Sequence, residues 1–212
     1  MRLSSPALAR QLIALAESRG IKLLVDETYR EMTFAGPLPA AASLSPAAIS
    51  VSSLSKTYGL PGLRMGWIAT RDPALQEKFL AAKEQIVICN SVVDEEIAWQ
   101  FLRRKAGLLP GIRREIAKRF AIVRQWHAAQ DDLEWIEPEG GVVAFPRIKP
   151  SLRVDVDRFY LTLQEQHGTF VGPGHWFEMD RRFMRIGFGW PTREHLAAGL
   201  QTISAAIRSA RI

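Results

Sequence analysis

The chain has 212 residues, 47% hydrophobic and 24% charged, with a formal net charge of +6. That length can bury a substantial core in one or two domains, and the composition is that of an ordinary soluble protein with no secretory or membrane segment. The lone cysteine, Cys89, excludes an internal disulfide and points to a reducing, cytoplasmic setting, with the thiol packed among Ile86, Val87 and Ile88.

Ser5 and Pro6 read as an N-cap followed by proline at N1, and Gly20 as a C' stop, so a short amphipathic helix lies between them. Residues 21–25 form a buried apolar strand that runs into Asp26, Glu27 and Tyr29. Residues 48–52 make a second strand and 64–70 a third. Asp72 and Pro73 open a helix, and a further helical piece spans 93–103. Gly107, Pro110 and Gly111 then break the pattern ahead of a long basic helix.

In that helix Ile112, Ile116, Phe120 and Val123 recur at helical spacing. Arg113, Arg114, Lys118, Arg119 and Arg124 are its wet face. No aromatic residues interleave with them, so a nucleic-acid partner is not expected. From about Asp132 the pattern becomes α+β. Strands at 134–137 and 142–145 flank a turn in which Gly140 and Gly141 give the backbone room. A helix at 156–166 is capped by Asp155 or Asp157. Strands follow at 170–171 and 184–188, and a closing helix at 192–208 is capped by Thr192 with Glu194 behind it.

The densest chemistry lies around Lys56, in Ser52-Ser53-Leu54-Ser55-Lys56-Thr57-Tyr58-Gly59-Leu60-Pro61-Gly62-Leu63-Arg64. A lysine amine can form a Schiff base with a carbonyl. Serine hydroxyls and an arginine fork suit a phosphate dianion. Together they suggest an aldehyde that carries a phosphate, pyridoxal 5'-phosphate. Asp26 and Lys56 each fall just past the carboxyl end of a strand, where ligands gather in an open α/β sheet. His127, His167, His175 and His195 lack metal-ligand spacing, and Ser53 lacks the histidine and acid of a serine hydrolase.

Four segments carry a family resemblance. They are Val25-Asp26-Glu27-Thr28-Tyr29, the lysine block through Arg64-Met65-Gly66-Trp67, Pro138 to Pro146 with its Glu-Gly-Gly turn, and Phe183-Met184-Arg185-Ile186-Gly187-Phe188. In order and spacing the chain resembles the fold-type I pyridoxal-phosphate enzymes, specifically the class I/II aminotransferases. The resemblance implies an α/β fold: the C-terminal part of the large domain, with a mostly parallel sheet, over residues 1–109. An interdomain helix and a small α+β domain would occupy residues 110–212.

The same resemblance implies roles. Lys56 would hold the cofactor as a Schiff base and shuttle the substrate proton. Asp26 would pair with the ring nitrogen and Tyr29 with the 3'-oxygen. Ser53, Ser55 and Arg64 would hold the phosphate, and Arg185 the substrate carboxylate. Amino acids and 2-oxo acids are the implied substrates and a homodimer the implied assembly, with no metal and no membrane. A typical member is about twice as long, so an N-terminal half that stacks on the ring and cradles the phosphate is expected to be missing. Other chemistries of the same cofactor remain open, namely elimination, decarboxylation or cyclisation. So does a non-catalytic fragment that needs a partner.

Overall fold

The computed structural model describes residues 6–212, so the cap expected at Ser5 lies outside the described residues. Helix α1 (Pro6–Ser18) buries Ile13 and Ala16. It ends as the sequence predicts. Gly20 takes a φ of +63°, its N–H donates to Glu17 O, and the Ile21 N–H reaches back to Ala16 O. This pair of bonds is a Schellman motif, which needs a residue that tolerates the left-handed region.

Strand β1 (Leu23–Asp26) pairs in parallel with β2 (Ala48–Ser53), from Leu23 opposite Ala48 to Asp26 opposite Val51. Between them the short helix α2 (Ala41–Leu44) returns the chain. Strand β3 (Gly66–Thr70) then pairs antiparallel with β2, from Ile49 opposite Thr70 to Ser53 opposite Gly66. The three-stranded sheet is therefore mixed rather than mostly parallel. The reason is the connection. Residues 54–65 fold back as a loop with one 3-10 turn (Pro61–Leu63) and no crossover helix, so β3 returns antiparallel beside β2.

The buried first strand expected from sequence is buried on one face only. Leu23 and Val25 pack against Ile13, Ala41 and Ala48, while Leu24 is 62% exposed on the other face. An apolar run cannot distinguish a strand covered on both faces from one covered on a single face.

Helix α3 (Pro73–Ile86) starts as predicted, with the Asp72 carboxylate accepting the Leu75 N–H at 3.3 Å. The expected break at Pro110 does not occur: α4 runs unbroken from Val92 to Ala128 with Pro110 inside it. Proline keeps a helical φ but loses its own N–H bond and crowds the carbonyl four residues back, so it destabilises a helix without necessarily ending it. Cys89 is exposed, not packed. It sits in the short link between α3 and α4, where Ile86 and Ile88 are 80% and 84% exposed.

The chain divides into two compact units. The first comprises the described residues through Ile112 together with Glu139–Gly141, so the Gly-Gly turn belongs with it. In it Gly141 has a φ of +83°, its N–H donates to Met32 O, and Gly140 bridges to Thr33. The second comprises Arg113–Pro138 and Val142–Ile212.

In the second unit β5 (Val143–Ala144) and β7 (Gly172–Pro173) flank β8 (Met184–Gly187) in an antiparallel sheet. Strand β4 (Leu133–Glu134) pairs with β6 (Arg147–Ile148), a strand the sequence reading lacks. The strand expected at 170–171 lies two residues later, at Gly172–Pro173. Helix α5 (Val156–Leu161), capped by Asp155, loosens into a π turn over Thr162–Gln166. Helix α6 (Arg193–Ser209) is capped by Thr192, whose hydroxyl accepts the His195 N–H at 3.2 Å. Leu196, Leu200, Ile203 and Ile207 recur along its inner stripe, all buried, where α6 packs on α5 and the π turn, which bury Phe159 and Leu163. On α4, Ile116, Phe120 and Val123 are buried and Ile112 is half-buried. Arg114, Lys118 and Arg124 are exposed as the periodicity predicts, whereas Arg113 and Arg119 of the expected wet face are half-buried, Arg119 pairing with Glu115 at 3.1 Å.

Candidate functional site

Six of the seven residues singled out by sequence, Asp26, Tyr29, Ser53, Ser55, Lys56 and Arg64, belong to the first unit, where the ends of β1 and β2 carry five of them. Asp26 closes β1 with its side chain exposed. Its Oδ1 accepts the Thr28 N–H at 2.9 Å and the Thr28 hydroxyl at 2.6 Å. The two Thr28 bonds hold its carboxyl below the ordinary aspartate range, so it is an anion at neutral pH. Tyr29 follows, half-buried, just before the 3-10 turn Arg30–Met32.

Ser53 ends β2, and its hydroxyl accepts the Ser55 N–H at 3.3 Å. Lys56 is exposed, and among the described residues its amine has no hydrogen-bond or ion-pair partner. The residues on either side of it are not loose. Leu54, Thr57 and Tyr58 are all buried. The Leu54 N–H donates to Met65 O, and the Leu60 N–H returns to Leu54 O, which folds the lysine loop on itself.

A hydroxyl joins the lysine loop to the aspartate turn. Thr57 Oγ1 donates to Thr28 O at 2.5 Å, and the Glu27 N–H donates to Val51 O at 2.8 Å. Asp26 and Lys56 thus belong to two segments bonded to each other at one end of the parallel pair.

Arg64 is held in an unusual backbone state. Its φ is 52°, in the left-handed region, and its guanidinium donates to Pro61 O at 2.9 Å. A side-chain-bearing residue there costs about 1 kcal/mol and is found preferentially at functional positions. Two residues on, Gly66 lets β3 close on β2: a Cβ there would come within 2.8 Å of Ser52 O and 3.3 Å of Ser53 Cβ. The glycine at position 66 therefore has a steric basis beside Ser53.

Arg185, the seventh residue, lies in the second unit, exposed on β8 opposite Gly172. Its guanidinium stands 5.8 Å from the centroid of the Phe177 ring. Trp176 and Phe177 are 58% and 41% exposed, so neither is simply core packing.

The sequence reading missed a buried polar cluster behind these residues. Glu27 Oε1 accepts the Ala41 N–H and the Ser50 hydroxyl, each at 2.6 Å. Arg30 pairs with Glu27 at 3.2 Å and with Glu31 at 3.1 Å. Glu31 also receives Lys105 at 2.9 Å and the Tyr58 hydroxyl at 2.7 Å. The available signal was two glutamates bracketing Tyr29 at the end of an apolar strand.

The donor set suits the expected cofactor. An anionic Asp26, an unpartnered amine and a serine-arginine pair meet the needs of a ring nitrogen, an aldehyde and a phosphate. Among the described residues no cluster of three or more His, Cys, Asp or Glu could hold a metal ion. No described helix is long and apolar enough to cross a membrane.

These features define an α/β protein with its candidate site at the carboxyl ends of adjacent parallel strands. The family model for aminotransferase class I and II matches residues 3–203, and the chain belongs to that family. It is 34% identical over 157 residues to capreomycidine synthase of Streptomyces vinaceus, covering 74% of this chain and 39% of that protein. It superposes with a TM-score of 0.89 on a PLP-dependent aminotransferase from Streptococcus suis, at 28% identity, covering 99% of this chain and 55% of that one. The PLP-dependent cyclase OrfR gives a TM-score of 0.85 at 29% identity, with 98% and 56% covered. The chain thus spans about half the length of the proteins it matches.

Proposed function

We propose that the chain is the lysine-bearing half of an enzyme that uses pyridoxal 5'-phosphate to exchange amino groups between an amino acid and a 2-oxo acid. The observation that carries this reading is the bonded pair of strand ends, with Asp26 on one and Lys56 on the other. When bound, the cofactor supplies an electron sink for the carbanion that forms at the substrate Cα.

The chain's own residues divide the remaining work. Lys56 Nζ would hold the cofactor's aldehyde carbon and would take the proton from the substrate Cα. Asp26, kept anionic by Thr28, pairs with the ring nitrogen and favours its protonated form. Tyr29 donates to the 3'-oxygen. Ser53, Ser55 and Arg64 hold the phosphate, and Arg185 orients the substrate by a bidentate grip on its carboxylate. Residues 1–109 serve as the partial cofactor-binding domain and 110–212 as the interdomain helix and small α+β domain. The functional assembly is a cytoplasmic homodimer completed by the part of the fold that the longer relatives contain.

A second reading, cyclisation of an amino acid, is favoured by the likeness to the PLP-dependent cyclase OrfR, at 29% identity. The same lysine, aspartate and arginine serve both reactions, because both need a stabilised carbanion at Cα.

The test starts with the purified chain and pyridoxal 5'-phosphate. Borohydride reduction followed by peptide mapping is expected to place the label on Lys56, and Lys56→Ala is expected to remove it. No label at saturating cofactor would sink the proposal and favour a non-catalytic fragment. Release of a 2-oxo acid from amino acids then separates amino transfer from cyclisation.

A further inference from the structure

Lys56 is followed by two buried residues, Thr57 and Tyr58, and each reaches back to the segment that follows Asp26. Thr57 Oγ1 donates to Thr28 O at 2.5 Å, two residues past Asp26. Tyr58 donates its phenol to Glu31 Oε2 at 2.7 Å, two residues past Tyr29. The two bonds leave adjacent residues of one loop and land on both sides of Tyr29.

We propose that Thr57, Tyr58 and Glu31 form a clamp that sets the separation of Lys56 from Asp26, so that Glu31 positions the lysine loop although it touches no cofactor. The proposal rests on the reading of Asp26 and Lys56 as the cofactor pair. It extends that reading to residues that act through others.

The clamp is built to hold. The Tyr58 ring is 5% exposed and packs between Trp67, at 6.1 Å between centroids, and Phe101, at 5.7 Å in an edge-to-face contact. The ring has one orientation in which its hydroxyl meets Glu31. Burial, then the bond to Glu31 and its charge, push the phenol far above its ordinary range, so it remains a donor. Burial opposes charge on Glu31, but the bonds from Lys105 and Tyr58 and the charges of Lys105 and Arg30 outweigh it and hold the carboxyl below its ordinary range. A neutral donor therefore faces an anionic acceptor, the stronger kind of hydrogen bond. Lys105 reaches Glu31 from α4, which fixes the acceptor from a third element.

An ordinary buried polar network would stabilise the unit without affecting the cofactor. The distinguishing feature is that both bonds start within two residues of Lys56, whose own amine has no partner among the described residues. The backbone bonds of the loop, Gly59 N–H to Lys56 O at 3.1 Å and Leu60 N–H to Leu54 O at 3.0 Å, fold it on itself, while the Thr57 and Tyr58 side chains tie it to the segment that follows Asp26.

Tyr58→Phe removes the hydroxyl and keeps the ring, and Thr57→Val removes the other hydroxyl at nearly constant volume. In the cofactor-free chain each variant is expected to speed amide hydrogen exchange at Gly59 and Leu60 about tenfold, while β3 stays protected. With pyridoxal 5'-phosphate, borohydride is still expected to label Lys56. The visible circular dichroism per bound cofactor, which reports how the ring is held, is expected to fall about twofold, and the cofactor Kd to rise about fivefold. Glu31→Gln keeps an acceptor for Tyr58 and is expected to retain more of the dichroism than Tyr58→Phe. If thermal stability falls while exchange, dichroism and Kd stay at wild-type values, Tyr58 and Glu31 only pack and the clamp is wrong. A wild-type chain that takes no label overturns the reading of the site instead. The exchange comparison then decides the clamp alone: equal protection of Gly59 and Leu60 refutes it.

Discussion

The two units solve the problem of holding a small fold together in different ways. The second closes an aliphatic and aromatic core on itself, with Phe159, Met184, Phe188 and Ala206 at 0% exposure and Leu200 at 2%. The first has smaller apolar clusters, such as Ile13, Ala41 and Ala48 under the sheet, adds charges and hydroxyls to them, and leaves Leu15 52%, Leu24 62% and Ile68 55% exposed. Its functional segments are tied by Glu27, Glu31, Thr57 and Tyr58 in addition to a small apolar cluster around Leu54, Tyr58 and Ala98. Apolar packing resists loss of volume, whereas a polar cluster resists loss of a partner. The two units should therefore fail under different substitutions.

The largest effect is expected in the apolar core. Phe159→Ala removes a ring at 0% exposure and should cost about 3–5 kcal/mol, read as a fall in the urea midpoint of the second unit's unfolding. A loss below about 1 kcal/mol would show that this core can collapse around the gap.

Next comes the polar cluster. Glu31→Ala strands Lys105 and the Tyr58 phenol, and should cost about 2–3 kcal/mol, less than a fully buried pair because Lys105 is 35% exposed. Lys105→Met in the same background should recover part of that loss. Without recovery, the two residues are not coupled, and the comparison between the units loses its basis.

A smaller effect concerns pH. His127 stacks on Trp135 with centroids 4.2 Å apart, and its Nε2 is buried without a partner. Burial, assisted by Lys149 and opposed by Glu137, lowers its pKa from the ordinary value of 6.5. The unfolded chain then binds more protons below that pH than the folded one, so stability is complete above about 6.5 and falls as pH drops through it. Guanidinium melts at pH 7.5 and pH 5 should show this decline, and His127→Gln should flatten it.

The smallest effect is predicted on the open face. Leu24→Thr should change stability by less than about 0.5 kcal/mol, because the side chain is 62% exposed and threonine suits a strand. A large loss would show that this face is covered in solution.

Much of the architecture was legible because its causes are local. Gly20 closes α1, Asp72 and Pro73 open α3, and Thr192 caps α6, each through bonds that span a few residues. The sequence failed where the cause is distant. Pro110 reads as a stop, yet α4 continues through it. The parallel or antiparallel sense of β3 depends on the path of a loop that no periodicity encodes.

The candidate site divides along the same line. Lys56, Arg64 and Gly66 could be recognised together because they lie in one short segment with a fixed spacing. Arg185 was found by its own motif, which says nothing of its surroundings, and its aromatic neighbour Phe177 became visible only in space. Glu31 was overlooked because its partners are 27 and 74 residues away in the chain.

By itself, then, the sequence determined the helix ends, the apolar stripes and the residue types of a pyridoxal-phosphate site, since caps, periodicity and a compact motif are local properties of the chain. Only the tertiary structure decided that Asp26 and Lys56 end on segments bonded to each other, that one face of β1 is open, and that a buried carboxylate stands behind the lysine loop. Those features depend on pairings between distant residues, and the fold alone brings such residues within a hydrogen bond of each other.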